Sequence, residues 1–167
     1  MKELFLVIVT GAAVICDLWK GKIPNFLIAA GLGTACWFQF TEFGIPGFWS
    51  FLGGSMLPLL LLAVLFYFRM LGAGDIKLFC VIGGFLGIEN LLSCMAVSFL
   101  MGAVISLVLL IKRRSLKRRL SYFFAYIGRF YRTRKWVPYR DGQEKEAEFC
   151  FSVPVFLSVM LYIGGIY

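Results

Sequence analysis

Asp17 and Asp75 are the residues of this 167-residue chain whose type and setting could do chemistry. Each stands at the end of a long apolar run, and an ionisable group is costly to hold at the edge of a bilayer core, so its retention there marks a functional site. Asp17 opens Asp-Leu-Trp-Lys-Gly-Lys-Ile-Pro-Asn (17–25), and Asp75 closes Gly-Ala-Gly-Asp (72–75), followed by Ile76, Lys77 and Leu78. Two carboxylates that meet can hydrolyse a peptide bond. An ionised one takes a proton from a water held between them, while a protonated one polarises the scissile carbonyl. Their closeness creates that difference, because like charges a few ångströms apart in a low dielectric cannot both ionise. Such a pair titrates as a unit.

The neighbours of the two aspartates have physical readings of their own. Asp75 is expected at or near a helix N-terminus, where unpaired amides and the helix dipole favour a carboxylate. Lys77 adds a positive charge nearby, with snorkelling to the interface as its plainer role. Gly72 and Gly74 remove side-chain bulk where an extended substrate backbone has to approach, although small residues in membrane helices also serve packing. Pro24 and Asn25 suit the start of the following helix, Pro through its fixed φ and Asn as a turn former. The five cysteines stand singly, with no Cys-x-x-Cys pair, and the chain has no histidine. That spacing gives neither a zinc constellation nor a disulfide framework, so no metal or other cofactor is expected. Each cysteine reads as a small buried hydrophobe.

The elements that must position these residues are membrane spans. Hydrophobic residues make up 60% of the chain, its mean hydropathy is +0.86 and only 16% of it is charged, against about 25% in an ordinary soluble domain. A soluble fold of this size lacks the interior for so much apolar surface. Residues 4–14 could pass for the core of a signal peptide, but no small-x-small cleavage site follows and Asp17 arrives instead. With about 20 apolar residues needed per crossing, the sequence predicts an all-α polytopic membrane protein of six transmembrane helices: Leu4–Trp19, Phe26–Phe43, Phe48–Phe68, Leu71–Ile88, Leu91–Ile111 and Phe149–Tyr167. Trp19, Trp37, Trp49 and Trp136 fall near the interfaces, as an aromatic belt would place them.

Sixteen of the 17 lysines and arginines fall in cytoplasmic loops if both termini lie outside, leaving only Lys2 on the outer side. That asymmetry sets the predicted orientation. Two crossings separate Asp17 from Asp75, so both return to the cytoplasmic face, where they can meet. The net charge of +8 is concentrated beside spans rather than spread over a soluble face, which argues against nucleic acid as a partner. Between fifth and sixth spans, residues 112–146 are strongly basic, and Leu116, Leu120, Phe123, Ile127 and Phe130 recur at steps of four and three. This segment reads either as an amphipathic helix lying on anionic lipid of the inner leaflet or as a solvated loop that fixes topology. The whole chain, 1–167, is read as a single six-helix domain.

The motifs are specific enough to carry a resemblance. Asp-x-x-x-x-x-Ile-Pro-Asn after the first span and Gly-x-Gly-Asp-x-Lys-Leu entering the fourth closely resemble the type IV prepilin peptidase family, aspartyl proteases of the GxGD kind. By position, Asp17 and Asp75 match its catalytic aspartates, and Gly72 and Gly74 its glycines. The segment 151–157, Phe-Ser-Val-Pro-Val-Phe-Leu, resembles the proline-containing stretch of the family's last span. The resemblance implies a prokaryotic inner-membrane endopeptidase that removes a short basic leader from prepilins or pseudopilins of type IV pilus systems at the cytoplasmic face. Larger family members carry an N-terminal methyltransferase region with paired Cys-x-x-Cys motifs. Nothing of that kind precedes Leu4, so a short, peptidase-only member without methyltransferase activity is expected. A homo-oligomer is left open. The competing readings are a small transporter or channel component, in which the aspartates bind a cation or relay protons, and a presenilin-like protease. Transporter carboxylates usually lie near the bilayer midplane, whereas these fall beside Lys20, Lys22, Arg69 and Lys77. The presenilin reading lacks the Tyr-Asp pair, since Cys16 precedes Asp17.

Overall fold

A computed structural model describes residues 1–68, 71–112 and 150–165. Arg69, Trp136, the basic segment from 113 to 149 and the last two residues of the predicted sixth span lie outside the described residues. The amphipathic reading of 112–146 therefore has no structural counterpart here. Four α-helices are present and no strand occurs among the described residues: α1 Lys2–Lys20, α2 Asn25–Tyr67, α3 Ala73–Lys112 and α4 Ser152–Ile163. The chain divides into two compact units, Met1–Gly102 with Cys150–Tyr167 and, separately, Ala103–Phe149, of which only the end of α3 is described. All that follows concerns the first.

The helices follow the predicted apolar runs, but the connections differ. Where the sequence predicts separate second and third spans, α2 runs through both and is broken at Gly44, whose φ of 64° and ψ of −137° lie outside the helical region. The predicted fourth and fifth spans likewise form α3, broken at Gly87 with φ 76° and ψ −179°. Positive φ at these two places is cheap only for glycine. Amide side chains serve the carbonyls beside the second break: Gln39 Nε2 donates to the Phe85 carbonyl at 3.1 Å, and Asn90 Nδ2 to that of Leu86 at 3.3 Å. Two helices are long and apolar enough to cross a membrane, Asn25–Tyr67 and Ala73–Leu109. Within the described part of the predicted last span, helix covers the 12 residues of α4, and the chain turns at Gly164 and Gly165, the latter at φ 70°.

The first half of α3 is the centre of the bundle. Leu78, Phe79, Val81 and Ile82 are fully buried, and Ile76 and Phe85 nearly so. A helix that is apolar and covered all round is an interior one. It is covered by Leu6, Val9 and Ala13 from α1, Ile28, Ala35 and Leu62 from α2, and Val155 and Val159 from α4. One close contact is made through glycines. A Cβ on Gly54 of α2 would strike the Gly83 carbonyl of α3, and one on Gly83 would strike the Gly54 carbonyl, so the two backbones meet where neither has a side chain. That small-on-small contact suits helices packing in lipid. Large apolar side chains such as Trp37, Leu60 and Leu100 point outward, a surface suited to hydrocarbon rather than water.

Candidate active site

Asp17 occupies the last turn of α1. The helix stops four residues later at Gly21, which adopts the left-handed conformation and donates its N–H to the Asp17 carbonyl at 2.8 Å. The chain crosses to α2 through Pro24, an extended N-cap with φ −67° and ψ 136°, and Asn25 is the first helical residue. Pro24 thus sits one position before the first helical turn, where the sequence placed it inside. Its carbonyl accepts the N–H of Leu27 at 3.1 Å. This short connection brings α2 back beside α1, and the two helices run side by side to the far end. There Lys2 Nζ meets Glu42 Oε2 at 2.9 Å.

Asp75 stands in the first turn of α3, at the helix N-terminus where the sequence reading expects it. Its Oδ2 accepts the N–H of Gly72 at 3.3 Å, so the residue caps its own helix start in the manner of an acidic N-terminal side chain. Asp17 and Asp75, from different helices, are near enough for the charge of one to act on the other. Both side chains are half-buried at the same end of the bundle.

The supporting residues divide by task. Lys77 Nζ donates to Asn25 Oδ1 at 2.8 Å, tying the start of α3 to the start of α2. The bond gives Lys77 a named partner in place of simple snorkelling. Gly74 faces Ile23, whose side chain lies 3.5 Å from where a Cβ would stand. The Ile-Pro-Asn stretch therefore packs on the Gly-x-Gly-Asp stretch. Gly72 instead is exposed, and a Cβ there would approach only the Asp75 carboxylate, at 3.1 Å. Of the two glycines, it is Gly72 that keeps the approach to the carboxylates open, while the space over Gly74 is filled.

One residue of the site was not among those the sequence singled out. Ser152, the first residue of α4, is fully buried and donates its hydroxyl to Asp17 Oδ2 at 2.6 Å. The segment Phe-Ser-Val-Pro attracted notice only for its proline. The available signal was a hydroxyl entering an apolar span, since a buried hydroxyl needs a partner.

With the carboxylates, their glycines and their packed connection in place, comparison with known proteins decides the family. A family model described as the type IV leader peptidase family matches residues 4–107, well over half of the chain. The chain belongs to that family. The match covers α1, α2 and most of α3, hence both aspartates, and membership makes the chain a peptidase with prepilin-type substrates as the implied class. Together with the two long apolar helices, it points to a membrane protein. Neither curated proteins nor solved structures give a match to this chain.

Proposed function

We propose that this leader peptidase family member is a membrane-embedded aspartyl endopeptidase in which Asp17 and Asp75 activate water to remove the short basic leader of prepilins or pseudopilins. The observation that carries the reading is that two half-buried carboxylates, from the end of α1 and the start of α3, lie within electrostatic range of each other. Water held between them adds its oxygen to the scissile carbonyl carbon, giving its proton to the ionised aspartate, while the protonated aspartate hands its proton to the carbonyl oxygen. The tetrahedral diol then collapses: the C–N bond breaks as the aspartate that took the water proton passes it to the leaving amine, and a hydroxyl proton of the diol returns to the other aspartate, which restores the pair. General acid–base catalysis of this kind needs both groups within hydrogen-bond reach of the water. Gly72 leaves room for an extended leader junction, and Ile23, Gly74, Asn25 and Lys77 hold the two helix starts together.

In this reading the chain is one peptidase domain that crosses the membrane six times, the breaks at Gly44 and Gly87 being the turns of two of its hairpins, with both termini outside and the carboxylates at the cytoplasmic face. Both aspartates sit at helix ends rather than mid-helix, which favours a surface peptidase over a transporter with carboxylates at the midplane. The test is leader release from a candidate prepilin, read by mass spectrometry on the purified protein. Asp17→Asn and Asp75→Asn should each abolish release while the protein stays in the membrane, because the isostere keeps size and removes the charge. Glu89→Gln, an exposed position just past the Gly87 break, should process normally. Substantial cleavage by either aspartate variant rules out the dyad.

A further inference from the structure

The bond between Ser152 and Asp17 joins two residues 135 positions apart. It is a hydrogen bond that ties a carboxylate of the proposed dyad to α4. Ser152 has no exposure to solvent. Its 2.6 Å bond is at the short end for O–H···O contacts, in the range of charge-assisted ones. Asp17 is thereby fixed twice. Its main chain is held through the Gly21 N–H on its carbonyl, and its side chain through the hydroxyl on Oδ2. An aspartate has two side-chain torsions, and a hydroxyl locked in a packed helix removes the freedom of both. Among the described residues, the hydroxyl falls on Oδ2 and not on Oδ1.

We propose that Ser152 is the positioning residue of the peptidase: it occupies Asp17 Oδ2 so that Oδ1 is the oxygen presented to the reacting water. The inference rests on the dyad reading above and adds to it the third helix needed to build the site. The anchor is a buried one. The serine stands in the first turn of α4, and the helix is seated on α1 and α3 by Val155 and Val159. Next to it, the Phe151 ring packs at a tilt against Phe79, at 6.2 Å, and against Phe99, at 5.4 Å between ring centroids. Gly102 lies beneath the same ring, since a Cβ there would come within 2.8 Å of Phe151. Aromatic packing therefore sets the height and rotation of the serine, and the serine sets the carboxylate. Geometry of this kind matters for rate because a displacement of about 1 Å from the productive arrangement can cost on the order of 100-fold.

The bland account is that Asp17 merely satisfies a buried hydroxyl, and it makes a different forecast. If so, removing the hydroxyl would touch folding and leave turnover alone. The experiment uses the full-length protein in proteoliposomes with a prepilin that the wild type processes, and reads kcat, KM and the thermal unfolding midpoint for Ser152→Ala and Ser152→Thr. The expected result is a kcat reduced about tenfold or more by Ser152→Ala, with KM within about twofold of wild type and an unchanged midpoint. Ser152→Thr, which keeps the hydroxyl, should return most of the rate. Ser152→Ala with wild-type kcat overturns the proposal. So does a threonine variant as slow as the alanine one with an unchanged midpoint, since the hydroxyl would then not be what matters. A wild-type protein that releases no leader overturns the dyad reading and this inference together. A wild type that does so, alongside a fully active Ser152→Ala, overturns only the role of Ser152.

Discussion

Lys77 ends on a named acceptor, and that contact decides what the lysine of the Gly-x-Gly-Asp-x-Lys motif does here. Its ammonium donates to Asn25 Oδ1 at 2.8 Å, so its charge is spent on locking two helix starts, each of which carries one half of the motif pair. If that lock orders the carboxylates, Lys77→Met and Asn25→Ala should each slow leader release. The double variant should be no slower than the slower single, because both remove the same interaction; sites in contact fail to add in this way. Additive losses would mean that the two residues act separately. The aspartates were legible in sequence because a carboxylate at the end of an apolar run has no structural excuse. Asn25 and Pro24 were legible as punctuation, though not as partners. Ser152 was not legible: a serine in a membrane span is commonplace, and the partner that gives it meaning comes from the other end of the chain.

At the scale of the element, the helices have two kinds of glycine, and they respond differently to substitution. Gly83 faces the Gly54 carbonyl at backbone contact, whereas Gly33 of α2 is exposed, has ordinary helical φ and has nothing within 4 Å of a Cβ. Gly83→Ala should destabilise the bundle by about 1–3 kcal/mol, the usual range for an overpacked interior. Gly33→Ala should be neutral or stabilising by up to about 1 kcal/mol, through helix propensity. Thermal unfolding in detergent separates them, and equal midpoints would dismiss the close contact. The sequence set the first break between Phe43, which closes one predicted span, and Phe48, which opens the next. It set the second break near Gly87, since Ile88 closes one predicted span and Leu91 opens the next. It could not show that each break is confined to a single non-helical glycine. Hydropathy measures how apolar a stretch is, whereas continuity depends on φ and ψ at one or two residues and on side chains such as Gln39 reaching the carbonyls there.

For the molecule as a whole, the basic residues divide between the two ends of the bundle. Lys2, the one cation predicted outside, is paired with Glu42 and stands 5.4 Å from the centre of the Phe43 ring, at the end opposite the carboxylates. Lys20, Lys22 and Lys77 are exposed at the carboxylate end. An excess of Lys and Arg marks the cytoplasmic side, and the proposed orientation, with the dyad facing the compartment where a prepilin leader waits before export, rests on that rule. The balance of 17 basic residues was countable in sequence; which of them gather around the site needed the fold, because the lysines come from α1, the α1–α2 connection and α3. The orientation can be read in intact cells. On a background lacking the five native cysteines, Lys22→Cys should resist an impermeant thiol reagent until the membrane is permeabilised, while Ile45→Cys, at a position 71% exposed beside the Gly44 break, should label at once. The reverse pattern would put Asp17 and Asp75 on the outer face, away from any cytoplasmic leader. Peptidase chemistry would survive that result, but its substrate would then have to present its junction after crossing the membrane rather than before.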